Sequence, residues 1–154
     1  MSAKENCRAL MNEVAPLIDA LMVTEYESEG TWALQVDEAI LLIVDLDEED
    51  GRLVVSADAG RIQEGRQGEI HERLLRYNYC WRETGGVRMA LDGPGGEVVQ
   101  MADVPLAGLD VVRWHRILAS FIDMLRAWRE ILAGEALPPD KALPGDDVGD
   151  MIRA

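Results

Sequence analysis

Residues 69–92, EIHERLLRYNYCWRETGGVRMALD, constrain this chain more than any other stretch. Ile70, Leu74, Tyr77 and Trp81 recur at helical spacing, so the stretch opens as a helix of three turns or more with those four on one face. Gly85-Gly86 then removes side chains and supplies the left-handed positions of a helix end and turn. Beyond it Val87, Met89 and Leu91 alternate with Arg88, Ala90 and Asp92, the pattern of a half-buried strand. The helix therefore folds back onto a strand. Its far face carries Leu75, Asn78, Tyr79 and Arg82, and a helix apolar on two sides needs two partners. The strand is one. A second copy of the chain is the expected other.

The flanking elements can be read in order. Ser2-Ala-Lys-Glu5 spells a capping box, and Leu10, Val14, Leu17, Ile18 and Leu21 continue as one helical stripe with Met11 and Met22 at its margin. Pro16 interrupts that helix by removing a hydrogen bond, and because the stripe stays in phase a kink is expected rather than a division. Residues 24–30 read as a polar, acidic connector. Trp32, Leu34 and Val36 alternate with Ala33, Gln35 and Asp37 as a strand, residues 39–44 are apolar throughout, and residues 52–57 form a third strand after the turn at Asp47-Glu-Glu-Asp-Gly51. Successive side chains point to opposite sides of a strand, so six consecutive apolar residues cannot all face one core. Either both faces are covered, or one set, Ile40, Leu42 and Val44 or else Leu41 and Ile43, lies on a docking surface. Residues 59–68 are loop-like. Asp92-Gly-Pro-Gly-Gly96 is a turn, and residues 98–104 pair back as the last strand, stopped by Pro105. Asp110 caps a final helix whose face is Trp114, Leu118, Phe121, Leu125, Trp128 and Leu132, and Gly134 ends it. The expected fold is α+β, with about five antiparallel strands and three helices ordered α-β-β-β-α-β-β-α. Residues 1–134 form one domain, and residues 135–154 form an acidic tail too polar to pack.

Charge narrows the function. With 29 acidic and 15 basic residues among 154, the net charge is −14. Such a surface repels phosphate backbones and anionic membranes, and attracts basic or partly unfolded polypeptide. Cys7 and Cys80 lack partner spacing, and the chain shows neither a secretory leader nor an apolar run of membrane-spanning length. A cytoplasmic protein with reduced thiols is expected.

No constellation carries chemistry. The acidic run from Asp45 has Asp50 where a calcium loop needs Gly, and Ser56 where it needs Glu, so it reads as a hairpin turn. His71 and His115 lack a second ligand one turn away. Gly93-Pro-Gly-Gly96 has neither the Lys nor the following helix of a phosphate loop. Neither cysteine has a nearby base. No enzyme, cofactor or metal site is expected.

The run LLRYNYCWRETGGVRMALD, then GEVVQMADVPLAGLD and a long helix ending LRAWREIL, resembles the type III secretion chaperones of the Tir-chaperone (CesT-like) family over residues 5–132. The likeness rests on the order of elements and on the junction of Trp81, Gly85 and Gly86. It implies a homodimeric bacterial cytoplasmic chaperone. Such a chaperone holds the N-terminal segment of one or more secreted effectors in extended form, soluble and ready for export. It further implies that the first helix and first three strands receive the client, here through Trp32, Leu34, Ile40, Leu42, Val44, Leu53 and Val55. The middle helix and neighbouring strand would dimerise through Leu75, Tyr79, Arg82, Arg88 and Met89. The secretion ATPase is admitted as a further partner, nucleic acid and membrane insertion are not. The rival reading is a dimeric regulator that sequesters another regulator of the secretion system by the same surface.

Overall fold

The computed structural model describes residues 1–135 and 142–146. Its elements are α1 (Ala3–Val14), β1 (Met22–Tyr26), β2 (Thr31–Gln35), β3 (Leu41–Asp47), β4 (Arg52–Gly60), α2 (Gln67–Tyr79), the single turn α3 (Trp81–Thr84), β5 (Arg88–Leu91), β6 (Val98–Pro105) and α4 (Val111–Leu132), with 3-10 turns at Ala15–Ile18 and Glu27–Glu29. The fold is α+β, as expected, and its six strands form one antiparallel sheet in the order β1-β2-β3-β4-β6-β5. The chain divides into two compact units. One is Met1–Ala57 with Ala102–Ile122, and the other is Asp58–Met101 with the described residues from Asp123 onward.

In the first unit, Ser2 caps α1 as its sequence dictates: its hydroxyl accepts from the Glu5 amide at 3.1 Å, and the Glu5 carboxylate accepts from the Ser2 amide at 3.3 Å. The buried stripe is Cys7, Met11, Val14 and Ile18, one position round from the expected row, while Leu17 and Leu21 face solvent. The cause is Pro16. It divides the helix instead of kinking it, because the chain tightens into a 3-10 turn at Ala15 and Asp19 then adopts a left-handed φ of 55°. Residues beyond Asp19 therefore fall out of helical phase. The supposed connector is the sixth strand, β1, paired antiparallel with β2 from Met22↔Gln35 to Tyr26↔Thr31. Its side chains do not alternate cleanly in burial, so period-two reading has nothing to detect, and its stability comes from hydrogen bonds to β2. β3 starts at Leu41 because Asp37 accepts from the amides of Ala39 and Ile40, at 2.7 and 2.8 Å, and holds the turn between β2 and β3. Asp110 caps α4 by accepting from the Arg113 amide at 2.8 Å.

In the second unit, α2 buries Ile70, Leu74 and Tyr77. Tyr77 meets Trp128 edge-to-face at 5.3 Å, and its hydroxyl lies 3.1 Å from the Met124 sulfur. Burial pushes its phenol up to about 12. Trp81 was expected in the same row, but it is 58% exposed. Cys80 leaves helical geometry (φ −87°, ψ 39°), so α3 restarts with a different phase and turns the indole outward. Gly85 and Gly86, at φ 65° and 85°, make the left-handed reversal the sequence demanded. Arg66 donates to the carbonyls of Ile131 and Leu132 at 3.0 and 3.3 Å, satisfying the C-terminal end of α4. The tail departs from expectation at residues 142–146. There Leu143 is buried and Asp146 pairs with Arg73, so this piece packs although its composition is polar. The rest of the proposed tail, residues 136–141 and 147–154, lies outside the described residues.

Candidate functional site

Register decides which side of the first unit's sheet is available. Glu25, Trp32, Val44 and Val55 form one cross-strand row, and Val23, Leu34 and Leu42 form the next, with Leu46↔Leu53 completing that face. Trp32, Leu34, Ile40, Leu42, Val44, Leu53 and Val55 are all buried. The seven residues expected to receive a client are thus core residues and offer no surface. The opposite face carries Met22, Gln35 and Leu41 in one row, Thr24, Ala33, Ile43 and Ser56 in the next, and Tyr26, Thr31, Asp45 and Val54 beyond. Met22 is 62% exposed and Leu41 43%, Ile43 and Val54 are half-buried, and Tyr26 is exposed. Leu41 and Ile43 are therefore the outward set of β3.

β1 begins the strand order, so no strand lies beyond it among the described residues. Exposed Leu17, Leu21, Met22 and Tyr26 cluster in sequence on and just before it. The strand is held from its other face. Glu25 accepts from Arg8 Nε at 2.7 Å and Nη2 at 2.9 Å, and from Trp32 Nε1 at 2.7 Å. The Arg8 guanidinium holds the Glu25 carboxyl below the ordinary carboxylate range, with the Trp32 bond adding to the effect. Lys4 donates to the Glu27 carbonyl at 2.9 Å. A polar clamp thus ties α1 to β1 from the inner face. The same α1 borders a cavity of about 320 Å³ lined by Ala3, Asn6, Cys7, Ala9, Leu10, Glu13, Leu106 and Leu109. Burial, with Glu48 adding to it, pushes the Cys7 thiol up, which makes it a packing group and a poor nucleophile.

The second unit holds the other sheet edge, β5, and treats it differently. Asn78 of α2 donates to the Met89 carbonyl at 2.9 Å and accepts from the Met89 amide at 2.8 Å. One side-chain amide satisfies both backbone groups that a further strand would need at that residue. Of the five residues expected at a two-fold interface, Leu75 and Tyr79 are each 71% exposed and Arg82 is exposed. Arg88 is half-buried, and Met89 is buried beneath the Asn78 clamp. Met89 is accordingly a core residue of this unit, because β5 points it inward. Trp81 joins the exposed group, with the Arg82 guanidinium 4.7 Å over its ring. Sequence reasoning missed Trp81 because the break at Cys80 leaves no mark in residue type. It also missed Leu17, Leu21 and Met22, which the division at Pro16 takes out of the helical stripe, and Tyr26, which lies on the unrecognised strand β1.

Residues 21–129, more than half of the chain and covering every strand, match the Tir chaperone protein (CesT) family. The chain belongs to that family. Among solved structures this CesT-family chain is similar to the ExsC–ExsE complex, at 24% identity and a TM-score of 0.72, over 86% of this chain and 97% of that one. It is also similar to the HopA1–SchA chaperone–effector complex, at 18% identity and a TM-score of 0.67, over 83% and 96% of the two chains. The heterodimeric ExoU–SpcU complex from the type III secretion system of Pseudomonas aeruginosa matches at 19% identity and a TM-score of 0.57, over 70% and 87%. At these identities the likeness is one of fold. No curated protein sequence matches the chain significantly. No helix among the described residues is long and apolar enough to cross a membrane.

Proposed function

We propose that this CesT-family chain is a homodimeric chaperone that binds the N-terminal segment of a type III secretion effector and keeps it soluble and competent for export. The observation that carries the reading is the β1 edge, a strand with no neighbour on one side among the described residues, accompanied by exposed Leu17, Leu21, Met22, Tyr26 and Leu41. An extended client adds to such an edge through its main chain and sets alternate side chains on the apolar face. Burying three of these side chains contributes about 1.5–3 kcal/mol each before ordering costs. That is sufficient for a segment unfolded on its own. The surrounding charge of −14 suits a client with basic flanks. Residues 1–134 would serve as the chaperone domain, with self-association through the α2 face of Leu75, Tyr79, Trp81 and Arg82.

The test is affinity capture from the native bacterium with wild-type protein and with a Met22→Asp/Leu41→Asp variant. The wild type should retain a protein exported by type III secretion, and the folded variant should not. Retention of a cytoplasmic regulator would favour the sequestering role. Equal capture by both proteins would show that the client surface lies elsewhere.

A further inference from the structure

In the second unit, residues 142–146, Ala-Leu-Pro-Gly-Asp, pack against α2. Three observations show that the fit is specific. Asp146 meets Arg73 through two bonds, Nε to Oδ1 at 3.0 Å and Nη2 to Oδ2 at 2.7 Å, the paired geometry of a guanidinium reading a carboxylate. Gly145 lies at φ 91° so close to α2 that a Cβ there would come within 2.9 Å of the Arg76 carbonyl carbon and 3.0 Å of its oxygen. Glycine is required twice over, by its backbone angle and by the close approach. Leu143 is buried, and the Asp146 amide donates to the Leu143 carbonyl at 3.2 Å, closing a turn that sets the apolar and acidic side chains together on the helix. Beside Asp146 a cavity of about 340 Å³ remains, lined by Glu69, Glu72, Arg73 and Arg76.

We infer that this flank of α2 is a binding site for an acidic turn segment of the pattern Leu-x-Gly-Asp, and that residues 142–146 are its built-in latch, displaced when another polypeptide presents the same pattern. The paired geometry at Arg73 supports the ligand class: its guanidinium holds the Asp146 carboxylate through two bonds although Glu69 and Glu72 line the same cavity. Tethering raises the local concentration of the resident segment to the millimolar range, so a competitor must be concentrated or bound elsewhere on the protein as well. The site lies on α2, away in sequence from the β1 edge, and its test does not depend on client binding there.

The chain has two lysines, Lys4 and Lys141, and the second immediately precedes the latch. A lysine-specific endoprotease therefore reports latch opening in the full chain through cleavage of the Lys141–Ala142 bond. A latch closed nine-tenths of the time slows that cleavage about tenfold, since cutting follows the open population. Cleavage should be slow in the wild type and at least about tenfold faster in Asp146→Arg and in Gly145→Ala, with unchanged circular dichroism. It should slow again in the Arg73→Glu/Asp146→Arg exchange. A peptide of residues 142–150, which contains no lysine, should speed wild-type cleavage at millimolar concentration, and the same peptide carrying Asp146→Arg should not. Wild-type cleavage as fast as that of Asp146→Arg, or no rescue by the exchange, would overturn the latch. An unchanged rate with the competing peptide would overturn a site open to other chains.

Discussion

The two edges of the sheet solve the same problem in opposite ways. At β5, Asn78 reaches from α2 and occupies both the amide and the carbonyl of Met89. At β1 no further strand pairs among the described residues, and the residues around it include exposed Met22, Tyr26, Leu17 and Leu21. An open apolar edge is a hazard for aggregation, and natural sheets blunt such edges unless they use them. One edge here is closed by a single polar side chain, and the other is left open beside an apolar face. The difference is what supports the proposed docking of a client at β1.

The comparison is broken most severely from inside β3, which supports the open edge. Leu42→Asp places a carboxylate in the core and should cost more than about 4 kcal/mol, leaving the protein unfolded by circular dichroism. Leu41→Asp, one residue away on the outward face, should shift the folding free energy by less than about 1 kcal/mol. If both variants unfold alike in urea, the outer face is covered and β1 is not a docking edge.

The closed edge should respond next most strongly. Asn78→Ala leaves the Met89 amide and carbonyl without their partner and should destabilise by about 2 kcal/mol, read from the urea midpoint. It should also make β5 adhesive, so that light scattering shows association that increases with concentration. A variant that keeps both wild-type stability and wild-type size would mean that the clamp does not protect this edge.

The face beside the clamp is a subtler matter. Tyr79→Asp lies on an exposed position and should change protomer stability by no more than about 0.5 kcal/mol. A dimer built on this face would nonetheless separate to monomers in sedimentation. A variant that sediments as a stable dimer would move the two-fold interface off α2.

The smallest effect is in the polar clamp behind β1. Arg8 holds the Glu25 carboxyl below its ordinary value near 4.5. A carboxyl depressed in the folded state adds stability that is fully present above the unfolded value and is lost as pH falls through the folded one. Wild-type stability should therefore decline below about pH 4.5, and Arg8→Gln should flatten that part of the pH profile while lowering stability at neutral pH. Parallel profiles for the two proteins would remove Glu25 from the support of β1.

Much of this architecture is written locally. The capping box of Ser2 and Glu5, the Asp110 cap, the reversal at Gly85-Gly86, the hairpin after Asp47 and the long apolar face of α4 all follow from interactions a few residues apart. Local sequence is sufficient for them because the groups that satisfy one another are neighbours along the chain. Tertiary structure alone decided the rest. Periodicity showed that residues 39–44 must divide between two faces, but only the register of β2, β3 and β4 put Leu42 and Val44 inside and Leu41 and Ile43 outside. β1 has no pattern of its own, being made a strand by hydrogen bonds to β2. Trp81 faces outward because a break at Cys80 rotated the next turn, and residues 142–146 pack because Arg73 and the close-approaching backbone of Arg76 receive them. In each case the deciding partner is distant in sequence or the deciding break is invisible in residue type, and a side chain's own character cannot say which partner will cover it.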